Sequence, residues 1–286
     1  MKTGIFHLSV CGALLFAIAP WAYGAATVQL VDIFGRTEAK PLLPAVFGNH
    51  DISLNLEFDD APSASGDLTA DFFQVSGQLA LPLNRSTHLQ DGITLSTAAR
   101  KLPVSIKFPD VQQRAEILVR FSLTPRGGVT SSIALGDLRF EVFPATLTRE
   151  FTGLLQPRTD GTIPAVLFGP GRKLANFLTA LKIPFDLAGL DVPDQFEANR
   201  IYFGETADEE SFAITQEIRE KVRMAVFSPD QSLPAGIYSE QKPAAAFIYV
   251  TAPILDNLDT DPRAQLALIK IIHYLIAPNT SADTNP

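Results

Sequence analysis

Cysteine is nearly absent from this 286-residue sequence, since the single cysteine is Cys11, within an apolar N-terminal segment that we expect to be removed. A mature chain without cysteine cannot use a thiol nucleophile, a disulfide or a cysteine-ligated zinc ion. Histidine is scarce too, and His50, His88 and His273 are too far apart in sequence to match the spacing of metal ligands. We therefore expect neither a cofactor nor a bound metal ion.

Basic residues are outnumbered by acidic ones, with 23 Lys and Arg against 31 Asp and Glu, which gives a formal charge of −8. A chain of this charge has no general attraction for nucleic acid, so we exclude nucleic acid as a partner. The only tryptophan lies in the N-terminal segment, which argues against a tryptophan-lined sugar site. Hydrophobic residues make up 46% of the chain, which is enough for a folded core.

The first 24 residues have the order of a secretory signal peptide. Lys2 supplies a positive charge, Ile5–Ala19 is almost entirely apolar, and the small residues Ala22 and Gly24 precede the expected cleavage site. An apolar run of about 15 residues is shorter than the roughly 20 residues that span a bilayer, so a membrane anchor is the less favoured interpretation. We predict an exported, periplasmic or extracellular protein that begins at Ala25 and is not an integral membrane protein once processed.

Residues 25–155 predict an all-β domain, because apolar and polar residues alternate there with a period of two. The alternating segments are Ile52–Phe58, Phe73–Leu81 and Ile117–Leu123. Ser132–Leu135 and Leu138–Phe143 are expected to be two strands that pair around a turn at Gly136-Asp137. Short strands with turns at intervals favour an immunoglobulin-like β-sandwich.

Residues 160–278 predict an α/β domain with a mostly parallel sheet, because strand and helix patterns alternate along them. Ile163–Phe168 is a continuous apolar run, typical of a strand that is buried on both faces. Helical spacing is found in Arg172–Leu181, Phe212–Val222 and Pro262–Ile276. We expect Asp261 to cap the last helix and residues 279–286 to form a disordered tail.

Three segments of this second domain resemble the class I glutamine amidotransferase-like family, whose fold is flavodoxin-like. They are Ala165–Gly171, Leu174–Leu178 with Ile183–Asp186, and Arg200–Glu205. The resemblance implies a strand–helix–strand core. Catalytic members of the family use a cysteine on a strand-to-helix elbow with a histidine and a carboxylate. Because no cysteine follows residue 24, the resemblance implies a non-catalytic relative, of the kind found within exported and carbohydrate-active proteins.

A glycine loop between the first predicted strand and helix is the candidate ligand-binding site. Gly169 and Gly171 leave backbone N–H groups open at a helix N-terminus, and Arg172 and Lys173 add positive charge. Such a terminus attracts anions through its N–H groups and its dipole. The alternative is a tight turn that only starts a helix.

Glu205 is the weak candidate for a catalytic residue. It follows the predicted strand Ile201–Phe203, and ligands bind at the carboxyl ends of the strands in open α/β sheets. Together with Asp208, Glu209 or Glu210 it would supply the pair of carboxylates used in glycoside hydrolysis. The alternative is that these acidic residues only stabilise the start of a helix.

These observations leave three hypotheses from different functional classes. The favoured one is an exported, non-catalytic two-domain protein that binds or scaffolds an unidentified envelope protein or glycan. The second is a carboxylate-dependent hydrolase or carbohydrate-active accessory protein that uses Glu205. The third is a small-ligand binder that uses the Gly169–Gly171 loop.

Overall fold

β-Strands make up most of the regular structure, and they are arranged in several sheets. The computed structural model describes residues 27–28, 43–57, 64–83, 86–96, 101–126, 132–206, 214–228, 235–242 and 245–276. The predicted signal peptide and the predicted C-terminal tail lie outside these residues. The chain divides into two compact units. One comes from the described residues between 40 and 145, and the other from those after 145 together with strand β1 (Thr27–Val28).

The first unit is built from two sheets. Its strands are β2 (Ala45–Phe47), β3 (Asp51–Glu57), β4 (Ala64–Ser76), β5 (Leu79–Pro82), β6 (Thr87–Leu95), β7 (Lys101–Lys107), β8 (Ala115–Pro125) and β9 (Ile133–Phe143). The larger sheet has the order β2-β9-β8-β4-β5, with β6 also paired to β4, and the smaller sheet is the antiparallel pair β3-β7. Strand β2 is parallel to β9, whereas β4, β5, β6, β8 and β9 pair antiparallel.

One apolar core joins the two sheets of the first unit. Phe108, which follows β7, packs its ring against Phe72 of β4 with 5.9 Å between centroids and against Phe140 of β9 with 4.8 Å. All three side chains are almost fully buried. The alternating segments Ile52–Phe58 and Ile117–Leu123 contribute apolar side chains to this core, as a period of two requires. The prediction of a single strand over Phe73–Leu81 is wrong, because a hairpin turn divides it into β4 and β5 and leaves Leu79 and Leu81 exposed.

The predicted turn at Gly136-Asp137 is wrong, because β9 runs through these two residues without a break. The register between β8 and β9 shifts between Phe121 and Ser122. Gly136, opposite Phe121, has a φ of 145° that favours glycine. The glycine that predicted a turn thus serves a β-bulge within a long strand. A hairpin turn lies instead at Gly77, with a φ of 60°, between β4 and β5.

The second unit alternates strands and helices. Its elements after β1 are α1 (Leu147–Leu155), β10 (Ala165–Phe168), α2 (Lys173–Ala180), β11 (Asp186–Leu187), β12 (Ile201–Glu205), α3 (Gln216–Arg219), β13 (Arg223–Phe227), β14 (Ile237–Lys242), β15 (Ala245–Val250), a 3-10 turn (Leu255–Asn257) and α4 (Pro262–Ile276). The sheet order is β1-β14-β15-β13-β12-β10-β11. The strands from β15 to β11 are parallel to their neighbours, and β14 and β1 are antiparallel.

Both faces of this sheet are buried, which explains the continuous apolar runs in its strands. Leu167 and Phe203 pack on one face with helices α1, α2 and α4, while Val166, Tyr202 and Met224 belong to a separate cluster of buried side chains. Two residue ranges assigned to the β domain from the sequence join this unit instead. Thr27–Val28 pairs with Tyr238 and Ile237 of β14, and α1 contributes to the α-helical side of the core.

The position of α1 moves the division between the units to Ala145/Thr146. Phe151 is fully buried and packs edge-on against Phe177 of α2, with 5.3 Å between ring centroids.

The prediction that Asp261 caps the last helix is confirmed, since Oδ1 of Asp261 accepts a hydrogen bond of 2.8 Å from the N–H of Arg263. Among the described residues, no helix combines the length and the apolarity that a membrane span requires.

Candidate functional site

The two sequence candidates, the glycine loop and Glu205, lie side by side at the carboxyl ends of adjacent parallel strands. Strands β10 and β12 pair in parallel, with Phe168 opposite Gly204. The glycine loop leaves β10 at this edge, and Glu205 is the last residue of β12. The parallel pairing therefore brings together residues that are more than 30 positions apart in sequence.

The Glu205 carboxylate binds the N-terminus of α2. Oε1 accepts a hydrogen bond of 2.9 Å from the Lys173 N–H, and Oε2 accepts one of 3.1 Å from the Leu174 N–H. The main-chain oxygen of Glu205 also accepts a hydrogen bond of 3.0 Å from the N–H of Gly171. The residue is only 7% exposed. A negative charge at this position is favoured by the helix dipole, and it satisfies two N–H groups that have no partner within the helix.

The local structure requires glycine at both Gly169 and Gly171. A Cβ at Gly171 would lie 2.6 Å from Oε1 of Glu205 and closer still to its Cγ, so only glycine leaves room for the carboxylate. Gly169 has a φ of 99°, a conformation that side chains other than glycine rarely adopt. Its N–H donates to the carbonyl oxygen of Gly189 at 3.0 Å.

The two cations of the loop also have partners within the unit. Nη1 of Arg172 donates to the carbonyl oxygens of Gly169 and Gly171, each at 2.9 Å. Nζ of Lys173 pairs with Oδ1 of Asp256 in the 3-10 turn, and both side chains are more than half exposed. The groups that suggested an anion site therefore bind a carboxylate and carbonyl oxygens of the protein itself.

This arrangement limits the chemistry that is open to Glu205. A general acid or base must reach the proton that it transfers, whereas both Glu205 oxygens are buried beside the helix and accept main-chain N–H groups. The proposed carboxylate partners Asp208, Glu209 and Glu210 lie outside the described residues. Within the part of the chain that the structure describes, no group of three or more His, Cys, Asp and Glu residues is arranged to hold a metal ion.

Small polar residues also follow three of the parallel strands at this edge of the sheet, and their sequence pattern was not recognised as a possible site. Thr206, Ser228 and Thr251 come directly after β12, β13 and β15, and all three are buried. Oγ1 of Thr251 accepts a hydrogen bond of 2.8 Å from the N–H of Gly236, while Oγ of Ser228 has no partner among the described residues. A small polar residue directly after each apolar run is the sequence signal that marks them.

No protein-family model matches the chain, and no curated protein matches it. The solved structures that show a weak similarity include the following three. One is an LPMO from Kitasatospora papulosa, with 11% identity, a TM-score of 0.23, and coverage of 36% of this chain and 51% of that chain. Another is WR4, a C. elegans MSP family member, with 9% identity, a TM-score of 0.19, and coverage of 36% and 93%. The third is a sialyltransferase from Photobacterium damsela, with 11% identity, a TM-score of 0.22, and coverage of 65% and 42%.

The match to the LPMO spans about half the length of that protein. Similarities at this level carry no argument about the fold or the activity of this chain. The resemblance to the amidotransferase-like family, and ligand contact by Gly169, Gly171, Arg172 and Lys173, therefore stay predictions.

Proposed function

We propose that this chain is an exported, non-catalytic two-domain protein that binds or scaffolds another component of the cell envelope, a protein or a glycan. The observation that carries the proposal is the pairing of the Glu205 carboxylate with the N-terminus of α2. The candidate catalytic residue, Glu205, accepts hydrogen bonds from the helix N-terminus that the candidate anion-binding loop leads into. Neither group then needs a substrate or an anion to complete its hydrogen bonds.

The order of the sheet supports the proposed character of the second unit. Counted along the chain, its parallel strands lie in the order 2-1-3-4-5, from β11 and β10 to β12, β13 and β15. This is the order of flavodoxin-like doubly wound sheets, and it supports a place for the unit among amidotransferase-like domains. The absence of cysteine after residue 24 removes the nucleophile of the catalytic members.

The first unit is proposed to be an immunoglobulin-like β-sandwich. Two features support this assignment, namely the single core between its two sheets and the antiparallel pairing of its long strands β4, β8 and β9. In this architecture the connecting loops cluster at the two ends of the sandwich. A fold alone does not define an activity, so the proposal depends on the state of Glu205 and not on the architecture.

The variant Glu205→Gln separates a structural carboxylate from a catalytic one. The purified mature chain and this variant are compared for thermal stability and for hydrolysis of a panel of glycosides. The proposal expects a lower Tm for the variant and no turnover above background by either protein. Hydrolysis by the native chain that is lost in Glu205→Gln would instead establish the hydrolase hypothesis.

The ligand-binding alternative is tested with Arg172→Ala/Lys173→Ala and inorganic phosphate as the probe. We expect the phosphate affinity of the native chain to equal that of the double variant, because the loop N–H groups are already bound by Glu205 and by the carbonyl oxygen of Gly189. A phosphate affinity that falls in the double variant and also falls with added salt would place an anion on the loop, since exposed charges are screened over about 8–10 Å.

A further inference from the structure

Ser228 and Gln265 each carry a buried polar atom that has no hydrogen-bond partner in the described part of the chain. The atoms are Oγ of Ser228, directly after β13, and Oε1 of Gln265, in the first turn of α4. Each residue is only 4% exposed. Native folds leave few buried polar groups unpaired, because such a group loses its hydrogen bonds to water without replacement. Both atoms therefore require a hydrogen-bonding group from outside this part of the chain.

The side chain of Ser228 lies on the face of the sheet opposite to Glu205. Side chains alternate between the two faces along a strand, and Met224 and Val226 of β13 share one cluster of buried side chains. Ser228 continues this alternation, whereas Glu205 binds α2, which packs on the other face. The N–H of Ser228 donates to the carbonyl oxygen of Val250 at 2.9 Å. The backbone of Ser228 is therefore held by the sheet, and its hydroxyl group takes no part in the contact between Glu205 and α2.

The hydroxyl groups that flank Ser228 at this edge are used within the unit. Oγ1 of Thr251 accepts a hydrogen bond of 2.8 Å from the N–H of Gly236, and Oγ1 of Thr206 donates to the carbonyl oxygen of Phe227 at 3.4 Å. Both threonines are 8% exposed, so they are nearly as buried as Ser228. Burial at this edge thus does not by itself leave a hydroxyl group unpaired, and the hydroxyl of Ser228 stays available to a bound molecule.

The side-chain amide of Gln265 uses only one of its two ends. Nε2 donates to the carbonyl oxygen of Leu258 at 2.8 Å, which fixes the orientation of the amide and leaves Oε1 as an acceptor without a donor. Leu258 directly follows the 3-10 turn, and Asp256 of that turn pairs with Lys173 at the start of α2. These contacts place the first turn of α4 at the carboxyl edge of the sheet. The unpaired hydroxyl and the unpaired carbonyl therefore belong to the same edge.

We propose that this edge binds a neutral sugar, whose hydroxyl groups complete the hydrogen bonds of Ser228 and Gln265. The carbonyl of Gln265 only accepts, so its partner must carry a proton, and a sugar hydroxyl both donates and accepts at one atom. A deprotonated anion cannot donate to this carbonyl, and the cations Arg172 and Lys173 already have partners. A peptide group carries its donor and its acceptor on different atoms of a rigid plane, which suits two nearly buried atoms less well. The inference rests on the proposed function, of which it specifies the glycan.

Ser228→Ala should change stability and sugar binding in opposite directions. The variant removes a buried hydroxyl that has no partner in the free chain, so its Tm should equal or exceed that of the native chain. Its sugar affinity should fall by about threefold to tenfold, the effect of one hydrogen bond between neutral groups. Thr251→Val is the matched control, because the hydroxyl that it removes accepts from Gly236. We expect the control to lower the Tm by about 2–4 °C.

NMR titration of the mature chain tests the proposal, with glucose and N-acetylglucosamine as probes and N-methylacetamide as the peptide comparison. We expect the sugars to shift the main-chain amide signal of Ser228 and the side-chain amide signals of Gln265. The proposal is overturned if neither sugar shifts these signals, if N-methylacetamide alone does so, or if Ser228→Ala keeps the native sugar affinity. A Tm that falls as far in Ser228→Ala as in Thr251→Val would also overturn it. Such a failure leaves the proposed function in place, because that function fails only if the native chain hydrolyses glycosides through Glu205.

Discussion

The Gly169–Lys173 loop and strand β5 both present backbone hydrogen-bonding groups, and they differ in whether other parts of the same unit bind those groups. The N–H groups of the loop are bound by Glu205 and by the carbonyl oxygen of Gly189. In β5 the N–H of Leu83 donates to Phe72 of β4, so the alternation of the strand turns the N–H and C=O of Ala80 away from β4. The loop carries the charges that suggest a site, yet each has a partner within the unit. The uncharged strand carries exposed leucines. The comparison teaches that charge in a sequence marks internal pairing as readily as it marks ligand binding.

The largest expected effect comes from Glu205→Ala, which leaves the buried N–H of Leu174 and the half-buried N–H of Lys173 without their acceptor. An unsatisfied buried group costs about 1–3 kcal/mol. Because water can reach the half-buried N–H of Lys173, that group costs less, and we expect the free energy of unfolding to fall by about 2–4 kcal/mol. Urea denaturation measures the change. The control is Glu217→Ala, because Glu217 is an exposed helix residue paired with Lys221, and a pair of this kind contributes about 0.3–0.5 kcal/mol. Equal losses in the two variants would contradict the role of Glu205 as a cap.

A smaller effect is expected from Gly171→Ala, because the added Cβ overlaps the Glu205 side chain. Overpacking of this kind costs about 1–3 kcal/mol. In the double variant Gly171→Ala/Glu205→Ala the overlap is gone, so the two losses should combine to at least about 0.5 kcal/mol less than their sum. The measurement is a double-mutant cycle by urea denaturation. Additive losses would show that the glycine is needed for a reason other than the carboxylate.

The smallest effect is expected from the surface pair of Asp67 and Arg126 in the first unit, whose side chains are 30% and 59% exposed. The N–H of Gly92 and the guanidinium of Arg126 hold the pKa of Asp67 below its usual value. A lowered carboxyl pKa stabilises the fold above the pKa of the unfolded chain, and this stability is lost as pH falls through the lowered value. Asp67→Asn should therefore lower the urea midpoint at pH 7. It should have progressively less effect below about pH 4, and a difference that is constant with pH would contradict this account.

Elements with a strong pattern could be predicted from the sequence. The period of two in Ile117–Leu123 and the apolar spacing of Pro262–Ile276 correspond to β8 and α4, because each pattern matches a face that is buried in the structure. Local turn chemistry was less informative at Gly136, since a glycine permits both a turn and a bulge. Helix α1 was not predicted. Its burial depends on Phe177 of α2, which the sequence places 26 positions away.

The residues of the candidate site could be predicted from the sequence, but the contact between Glu205 and the N-terminus of α2 could not. Gly169, Gly171, Arg172, Lys173 and Glu205 are conspicuous in the sequence, and each has both a structural and a functional interpretation. Only the pairing of β10 with β12 brings the carboxylate to the helix terminus. A contact across a parallel sheet depends on strand order, which no local pattern contains. The sequence therefore predicts two separate candidates where the structure has one internal pair.

Amide hydrogen exchange at Lys173 and Leu174 tests the central claim most directly, because these N–H groups distinguish a satisfied site from an open one. The first N–H groups of a helix have no acceptor within the helix, and an unbound pair would exchange at nearly the rate of an unstructured chain. If Glu205 caps the helix, we expect both amides to be protected by about 100-fold or more in the native chain. Unprotected amides at both positions would contradict the account and reopen the loop as a binding site.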